Sequence, residues 1–171
     1  RLPREAFVGE RHRALAYADL ELPLGHGESM MKPVVEGRTL QVACVYGDLT
    51  ARLARKAAQL SVVDVLPVQL DNLARKLPAD ASVELLHGDS ASLGMPTASY
   101  DRALLFFLLH EQPEAARRAT LAEALRVVKP GGRIVIVDYH RPHPLNPLYW
   151  PMVGILRTLE PFALDLWRHG I

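Results

Sequence analysis

The sequence has little of what staples, charges or anchors a protein. Cys44 is the only cysteine in 171 residues, so no disulfide can form within the chain, and a reducing, cytoplasmic setting is the expectation. Cys44 itself reads as a small buried hydrophobe on a strand. Charge of one sign is also missing: 20 Lys and Arg stand against 19 Asp and Glu, well mixed, for a net charge of +1. Nucleic acid, which needs a basic stripe, is therefore not an expected partner. The longest apolar run, Ala103 to Leu109, falls far short of the roughly 20 residues that cross a bilayer. There is no internal repeat, no initiator Met and no charged-then-apolar leader, which predicts a chain trimmed at its start.

What is present describes a folded domain. Hydrophobic residues make up 49% and charged residues 23%, the balance of a chain that buries one core. Residues 1–38 mix charge with Leu15, Leu20, Leu22 and Leu24 and read as a helix and loop forming a lid. Residues 39–142 then alternate between two periods. Thr39 to Val45, Val62 to Val65, Val83 to Leu86, Ala103 to Leu109 and Arg133 to Val137 predict five strands. Between them, Leu49, Leu53, Ala57 and Leu60, then Leu70, Leu73 and Leu77, then Ala116, Leu121, Leu125 and Val128 recur at helical spacing. Gly88 to Ser99, rich in Gly, Ser and Pro, reads as a loop. Strands alternating with helices predict an α/β fold, a doubly wound and mainly parallel sheet with helices on both faces. Residues 143–171 form an apolar tail broken by Pro147, Pro151 and Pro161.

In such a sheet, ligands sit outside the carboxyl ends of the strands. The first turn, Val45-Tyr46-Gly47-Asp48-Leu49-Thr50, opens a helix whose free N–H groups favour an anion, although one glycine is fewer than a dinucleotide turn uses. Asp64 ends the second strand near the roughly 20-residue offset at which an acid accepts ribose hydroxyls, and capping the helix at Pro67 is its other reading. Asp89 and Ser90 follow the third strand, placed either to meet a base edge or to form a turn. His110 and Glu111 follow the fourth strand, and Asp138, Tyr139 and His140 the fifth, so the two clusters can face each other with groups suited to proton transfer or a divalent cation.

From Thr39 to Pro142 the order of landmarks resembles the class I methyltransferases that use S-adenosylmethionine, above all the ubiquinone and menaquinone C-methyltransferases. The pieces are Val42-Ala43-Cys44 with Gly47-Asp48-Leu49-Thr50, Asp64, Gly88-Asp89, Ser99-Tyr100-Asp101, Leu109-His110 and Leu125-Arg126-Val127-Val128-Lys129-Pro130-Gly131-Gly132. The sequence departs from that pattern where Gln41 replaces an acid, Val45 a glycine and Tyr46 a small residue. Losing glycine removes easy positive φ and fills space beside the cofactor.

The first turn, together with Leu105-Phe106-Phe107-Leu108-Leu109-His110-Glu111-Gln112-Pro113 and Leu159-Glu160-Pro161-Phe162-Ala163-Leu164-Asp165-Leu166-Trp167, is similar to the rhodoquinone-biosynthesis proteins known as RquA. That resemblance implies conversion of ubiquinone to rhodoquinone, an amino group replacing a ring methoxy group, with S-adenosylmethionine as amino donor and manganese as metal. It implies cofactor contacts from Val45, Tyr46, Gly47, Asp48, Thr50, Asp64, Val65, Asp89, Ser90 and Phe107. His110, Tyr46 and Asp138 become the catalytic candidates, and Asp138 and His140 the metal candidates. Conventional C-methylation of a quinone and a non-catalytic cofactor-binding scaffold are the alternatives. The apolar tail suits an isoprenoid substrate or peripheral contact at the inner membrane surface. Family members add strands after the fifth, so the carboxyl end is also expected to be trimmed.

Overall fold

The computed structural model describes residues 4–7, 13–17, 37–44, 48–55, 57–138, 143 and 145–169. Seven strands are described: β1 (Arg4–Phe7), β2 (Arg13–Tyr17), β3 (Arg38–Val42), β4 (Gln59–Asp64), β5 (Val83–His87), β6 (Tyr100–Phe106) and β7 (Val128–Val137). They form one sheet in the order β1-β2-β7-β6-β3-β4-β5, and every pairing is parallel except β1 with β2. The described helices are α1 (Asp48–Ala54), α2 (Pro67–Lys76), α3 (Glu114–Val127), α4 (Tyr149–Leu159) and α5 (Pro161–His169), with a 3-10 turn at Leu109–Glu111.

The strands read as nearly continuous apolar runs because both sheet faces are covered. Leu40 and Val42, Ala103 and Leu105, and Ile134 and Ile136 pack with Ala124 and Val127 of α3. The alternate residues, Val62, Leu104, Phe106, Val135 and Val137, pack with Leu53 of α1 and with Leu70 and Leu73 of α2. Pro67 stands at the start of α2 and Arg75 and Lys76 in its last turn, the arrangement a helix terminus favours. β3 lies between β4 and β6, so the chain order reverses there and opens a crevice at the strands' carboxyl ends.

Several boundaries differ from the sequence reading. In the amino-terminal segment the described residues are strands rather than a helical lid, and Ala14 of β2 pairs with Ile134 of β7. The pairing takes up backbone groups that β7 would otherwise expose at a sheet edge. β6 begins at Tyr100 and stops at Phe106, because Phe107 turns the chain with φ +49° into the 3-10 turn. β7 begins at Val128 directly after α3, and Pro130, Gly131 and Gly132 lie within it beside a register shift opposite Tyr100 and Arg102. Gly131 has φ +81°. A Cβ on Gly132 would lie 2.7 Å from the Asp101 carbonyl oxygen and 2.5 Å from Val128 Cγ1.

Residues 88–99 form the expected loop, held by a side chain from the Leu125-Gly132 motif. Arg126 donates to the carbonyls of Leu93 (2.7 Å) and Met95 (2.8 Å), and Glu123 accepts from the Leu93 N–H (2.7 Å). In the tail, α5 docks through buried Ala163, Leu166 and Trp167. Buried Arg117 of α3 ties it down by an ion pair with Asp165 and a 3.2 Å hydrogen bond to the Phe162 carbonyl.

Candidate functional site

A cavity of about 350 Å³ opens at the carboxyl ends of β3, β4, β5 and β6, within the range of small-molecule sites. β3 contributes Val42 and Ala43, and the β4 end contributes Asp64, Val65, Leu66 and Gln69. Gly88, Asp89 and Ser90 follow β5, while Phe107, Leu108, Glu111 and Gln112 follow β6.

Two backbone positions make the crevice. Ala43 has φ +67° and Phe107 φ +49°, the left-handed region that non-glycine residues rarely enter. Each is clamped from the neighbouring strand, the Ala43 N–H donating to the Val63 carbonyl (2.9 Å) and the Phe107 N–H to the Val137 carbonyl (2.7 Å). Such strain costs on the order of 1–3 kcal/mol per residue and concentrates at functional sites. Ala43 follows β3 and Phe107 follows β6, the two paired strands beside the switch point.

Asp64 is buried and performs the bracing role as well as lining the cavity. Its Oδ2 accepts from the Cys44 N–H (3.0 Å) and Cys44 Sγ (3.3 Å), and its Oδ1 from the Leu66 N–H (2.9 Å) at the start of α2. Burial, then the Asp64 charge, push the Cys44 thiol up to about 12, so it stays protonated. Asp89 Oδ1 accepts the Ala91 N–H at 2.8 Å, forming the turn that presents it to the cavity. Ser90 Oγ lies 2.9 Å from Thr120 Oγ1 and accepts from Gln112 Nε2 at 2.9 Å.

Of the residues expected at the cofactor, the structure brings Asp64, Val65, Asp89, Ser90 and Phe107 together around the cavity. Thr50 does not join them: it is buried on α1, and its hydroxyl has no hydrogen-bond partner among the described residues. Val45, Tyr46, Gly47 and the Asp48 side chain lie outside the described residues, as do Tyr139 and His140.

His110 and Asp138 do meet, as their positions after adjacent strands imply, with Nδ1 2.8 Å from Asp138 Oδ1. Asp138 Oδ2 also accepts the Leu109 and His110 N–H groups at 2.7 and 3.3 Å, which fixes the 3-10 turn to the end of β7. The pair is buried and does not line the cavity. His110 Nε2 instead lies 3.9 Å from both Glu111 Oε1 and Glu160 Oε2. Burial opposes charge on His110, but the Asp138 hydrogen bond and the Asp138, Glu111 and Glu160 charges outweigh it and raise its pKa above the ordinary range. No group of three metal-ligating side chains occurs among the described residues.

Sequence reasoning placed Ala43 and Gln112 within motifs but gave neither a role at the site. Ala43 carries no polar group, and only its dihedral reveals its part. Gln112 directly precedes the helix-opening Pro113, and its amide bridges Ser90 and Thr120 while its Oε1 is buried without a partner among the described residues.

Comparison with known proteins agrees with this geometry. Residues 39–132 match the family model described as a methyltransferase domain. A demethylmenaquinone methyltransferase of Clavibacter sepedonicus is 36% identical over 110 residues, covering 64% of this chain and 44% of that protein. A protein-L-isoaspartate O-methyltransferase of Anaeromyxobacter dehalogenans is 36% identical over 151 residues, covering 79% and 68%. The chain spans about half the length of the first two curated relatives, 44% and 58%. Among solved structures, the [4+2]-cyclase SpnF superposes with a TM-score of 0.60 at 25% identity, covering 71% of this chain and 47% of that one. A putative methyltransferase from Bacillus halodurans gives 0.64 at 18%, covering 77% and 58%. With the doubly wound sheet and the crevice at its switch point, the match over residues 39–132 places this chain in the class I S-adenosylmethionine-dependent methyltransferase family.

Proposed function

We propose that the cavity holds S-adenosylmethionine and that the chain is a transferase acting on a quinone, exchanging a ring methoxy group of ubiquinone for an amino group. The observation that carries cofactor binding is the meeting of Asp64, Asp89, Ser90 and Phe107 around one cavity at the switch point. Quinone as substrate class draws support from the demethylmenaquinone methyltransferase relative. Amino transfer draws support from the RquA-like segments and from the departures at Val45 and Tyr46 in the sequence.

The residues suit the cofactor. Asp64 retains acceptor capacity for ribose hydroxyls beyond the donors it already holds, since a carboxylate offers about four lone-pair sites. Asp89 and Ser90 stand where a base edge would lie, and Phe107 offers an apolar ring. When bound, S-adenosylmethionine would supply the group transferred. Glu111, exposed on the β6 side of the cavity, is placed to accept a proton from the reacting centre. His110 and Asp138, away from the cavity, are assigned a positioning role: they fix the turn that carries Glu111 and Gln112.

Manganese does not fit Asp138. Its buried carboxylate already accepts two backbone N–H groups and pairs with His110, so no step is assigned to a metal.

The test is mass analysis of ubiquinone incubated with the protein and S-adenosylmethionine, with and without added manganese. Exchange of methoxy for amino gives a product lighter than the substrate. C-methylation, the second reading, which the relatives' printed activities favour, needs a quinone with a free ring carbon, and ubiquinone has none; a heavier product from demethylmenaquinone under the same conditions would establish it. Cofactor binding with no product would leave the non-catalytic cofactor-binding scaffold, and no cofactor binding would overturn the proposal that the cavity holds S-adenosylmethionine.

A further inference from the structure

We propose, resting on the cofactor reading above, that Gln69 is the second ribose-binding residue of the cavity and holds the hydroxyl for which Asp64 has no room. A carboxylate offers about four lone-pair positions. Three of those on Asp64 are taken: Oδ2 accepts from the Cys44 N–H (3.0 Å) and the Cys44 thiol (3.3 Å), and Oδ1 from the Leu66 N–H (2.9 Å). About one position remains, whereas ribose presents two hydroxyls on adjacent carbons. Asp64 is buried, and donors from β3's end and from the start of α2 fix its orientation. The second hydroxyl would lose its water on binding and gain nothing in return unless another group received it.

Gln69 is placed to receive it. The residue lines the same cavity from the first turn of α2, five positions after Asp64, and is half-buried. Its carboxamide makes no hydrogen bond among the described residues, and it is not enclosed, so a ligand can reach it. The ordinary employment of a glutamine at this position is already filled. Leu66 is the N-cap of α2, which makes Gln69 the third helical residue, the place from which Gln or Glu reaches back to the N-cap N–H. Here Asp64 Oδ1 takes that N–H instead. The helix start is closed without Gln69, and the amide is left to the cavity.

The remaining polar lining lies elsewhere. Asp89 and Ser90 follow β5, Glu111 and Gln112 follow β6, and Ser90 and Gln112 bond each other. Among the described lining, Asp64 and Gln69 are the polar side chains of the β4–α2 junction. A carboxamide also suits a diol better than a second carboxylate: Oε1 accepts a hydroxyl proton and Nε2 donates to a hydroxyl oxygen, and no further negative charge enters the junction.

Calorimetric titration with S-adenosylhomocysteine and with its 2′-deoxy and 3′-deoxy analogues tests this with no transfer reaction required. The parent is expected to bind each analogue about three- to thirtyfold more weakly than S-adenosylhomocysteine. Gln69→Met, which keeps side-chain length and helix propensity, should bring the preference over one analogue to within about twofold of unity and leave the preference over the other intact. Asp64→Ala, titrated below its unfolding transition, should do the reverse. Both preferences surviving Gln69→Met would overturn the assignment, because Gln69 would not touch the ribose. Both lost together would overturn it as well, because Gln69 would then shape the cavity rather than hold one hydroxyl. Binding by the parent with no preference for the diol overturns the Gln69 assignment alone, whereas no binding of S-adenosylhomocysteine at all overturns the cofactor reading and this assignment with it.

Discussion

Replacing Asp64 with Ala separates bracing from binding, because the two roles have different magnitudes and different readouts. The substitution removes the acceptor of the Cys44 and Leu66 N–H groups and of the Cys44 thiol. The Cys44 N–H is buried, and leaving it without a partner costs about 1–3 kcal/mol. The Leu66 N–H lies in an exposed residue and regains water, and the thiol is a weak donor, so neither adds much. A stability loss of about 2 kcal/mol follows for the fold. If the carboxylate also accepts ribose hydroxyls, losing a charged acceptor removes a further ~1.5–3 kcal/mol from binding, a factor of roughly ten to a hundred in Kd. Urea unfolding measures the first quantity, and calorimetric titration with S-adenosylhomocysteine below the unfolding transition measures the second. Asp64→Asn, which keeps one oxygen, should lie between parent and Ala in both. Stability that falls as calculated while Kd stays within about twofold of the parent would show that Asp64 only braces the turn, and the ribose assignment would be refuted.

Three further outcomes are expected. Because the folded-state pKa of His110 is raised, its contribution to stability is full below its unfolded value near 6.5 and is lost as pH rises through the folded value. The stability gap between parent and His110→Leu should therefore narrow from pH 6 to pH 9 in urea unfolding, and a gap independent of pH would contradict a charged imidazole. At Ala43, Gly accepts φ +67° at the cost of chain entropy, so Ala43→Gly should change stability by less than about 1 kcal/mol, whereas β-branched Ala43→Val should cost about 2 kcal/mol or more. Equal effects in thermal unfolding would argue against left-handed backbone there. Gly132→Ala places a methyl group against the Asp101 carbonyl and Val128, and should lower stability by about 1–3 kcal/mol, while Gly131→Ser, in open space but at φ +81°, should cost about 1 kcal/mol.

Fold class was legible in the sequence because a sheet covered on both faces makes every central strand a short apolar run. Val62 and Val63, Ala103 to Phe106 and Ile134 to Val137 are such runs, and leucines three or four apart mark the helices between them, although the first helix stops at Ala54 and Leu60, at the end of its series, lies on β4. The positions of Asp64 and Asp89 were equally legible, since parallel strands all deliver their last residues to one end of the sheet. That His110 would face Asp138 followed from the same rule, given adjacent strands.

Tertiary structure decided what those groups do. Whether Asp64 faces a ligand or a backbone depends on how closely the β3 end approaches it, and it does both. Whether His110 reaches the cavity depends on the turn at Phe107, a dihedral that no residue type announces, and the imidazole is buried against Asp138 and does not line the cavity. The amino-terminal strands escaped the reading because their reason for existing is the open edge of β7, over a hundred residues away in sequence. Local pattern fixes which residues alternate, but burial on each face and the meeting of distant ends are properties of the packed chain.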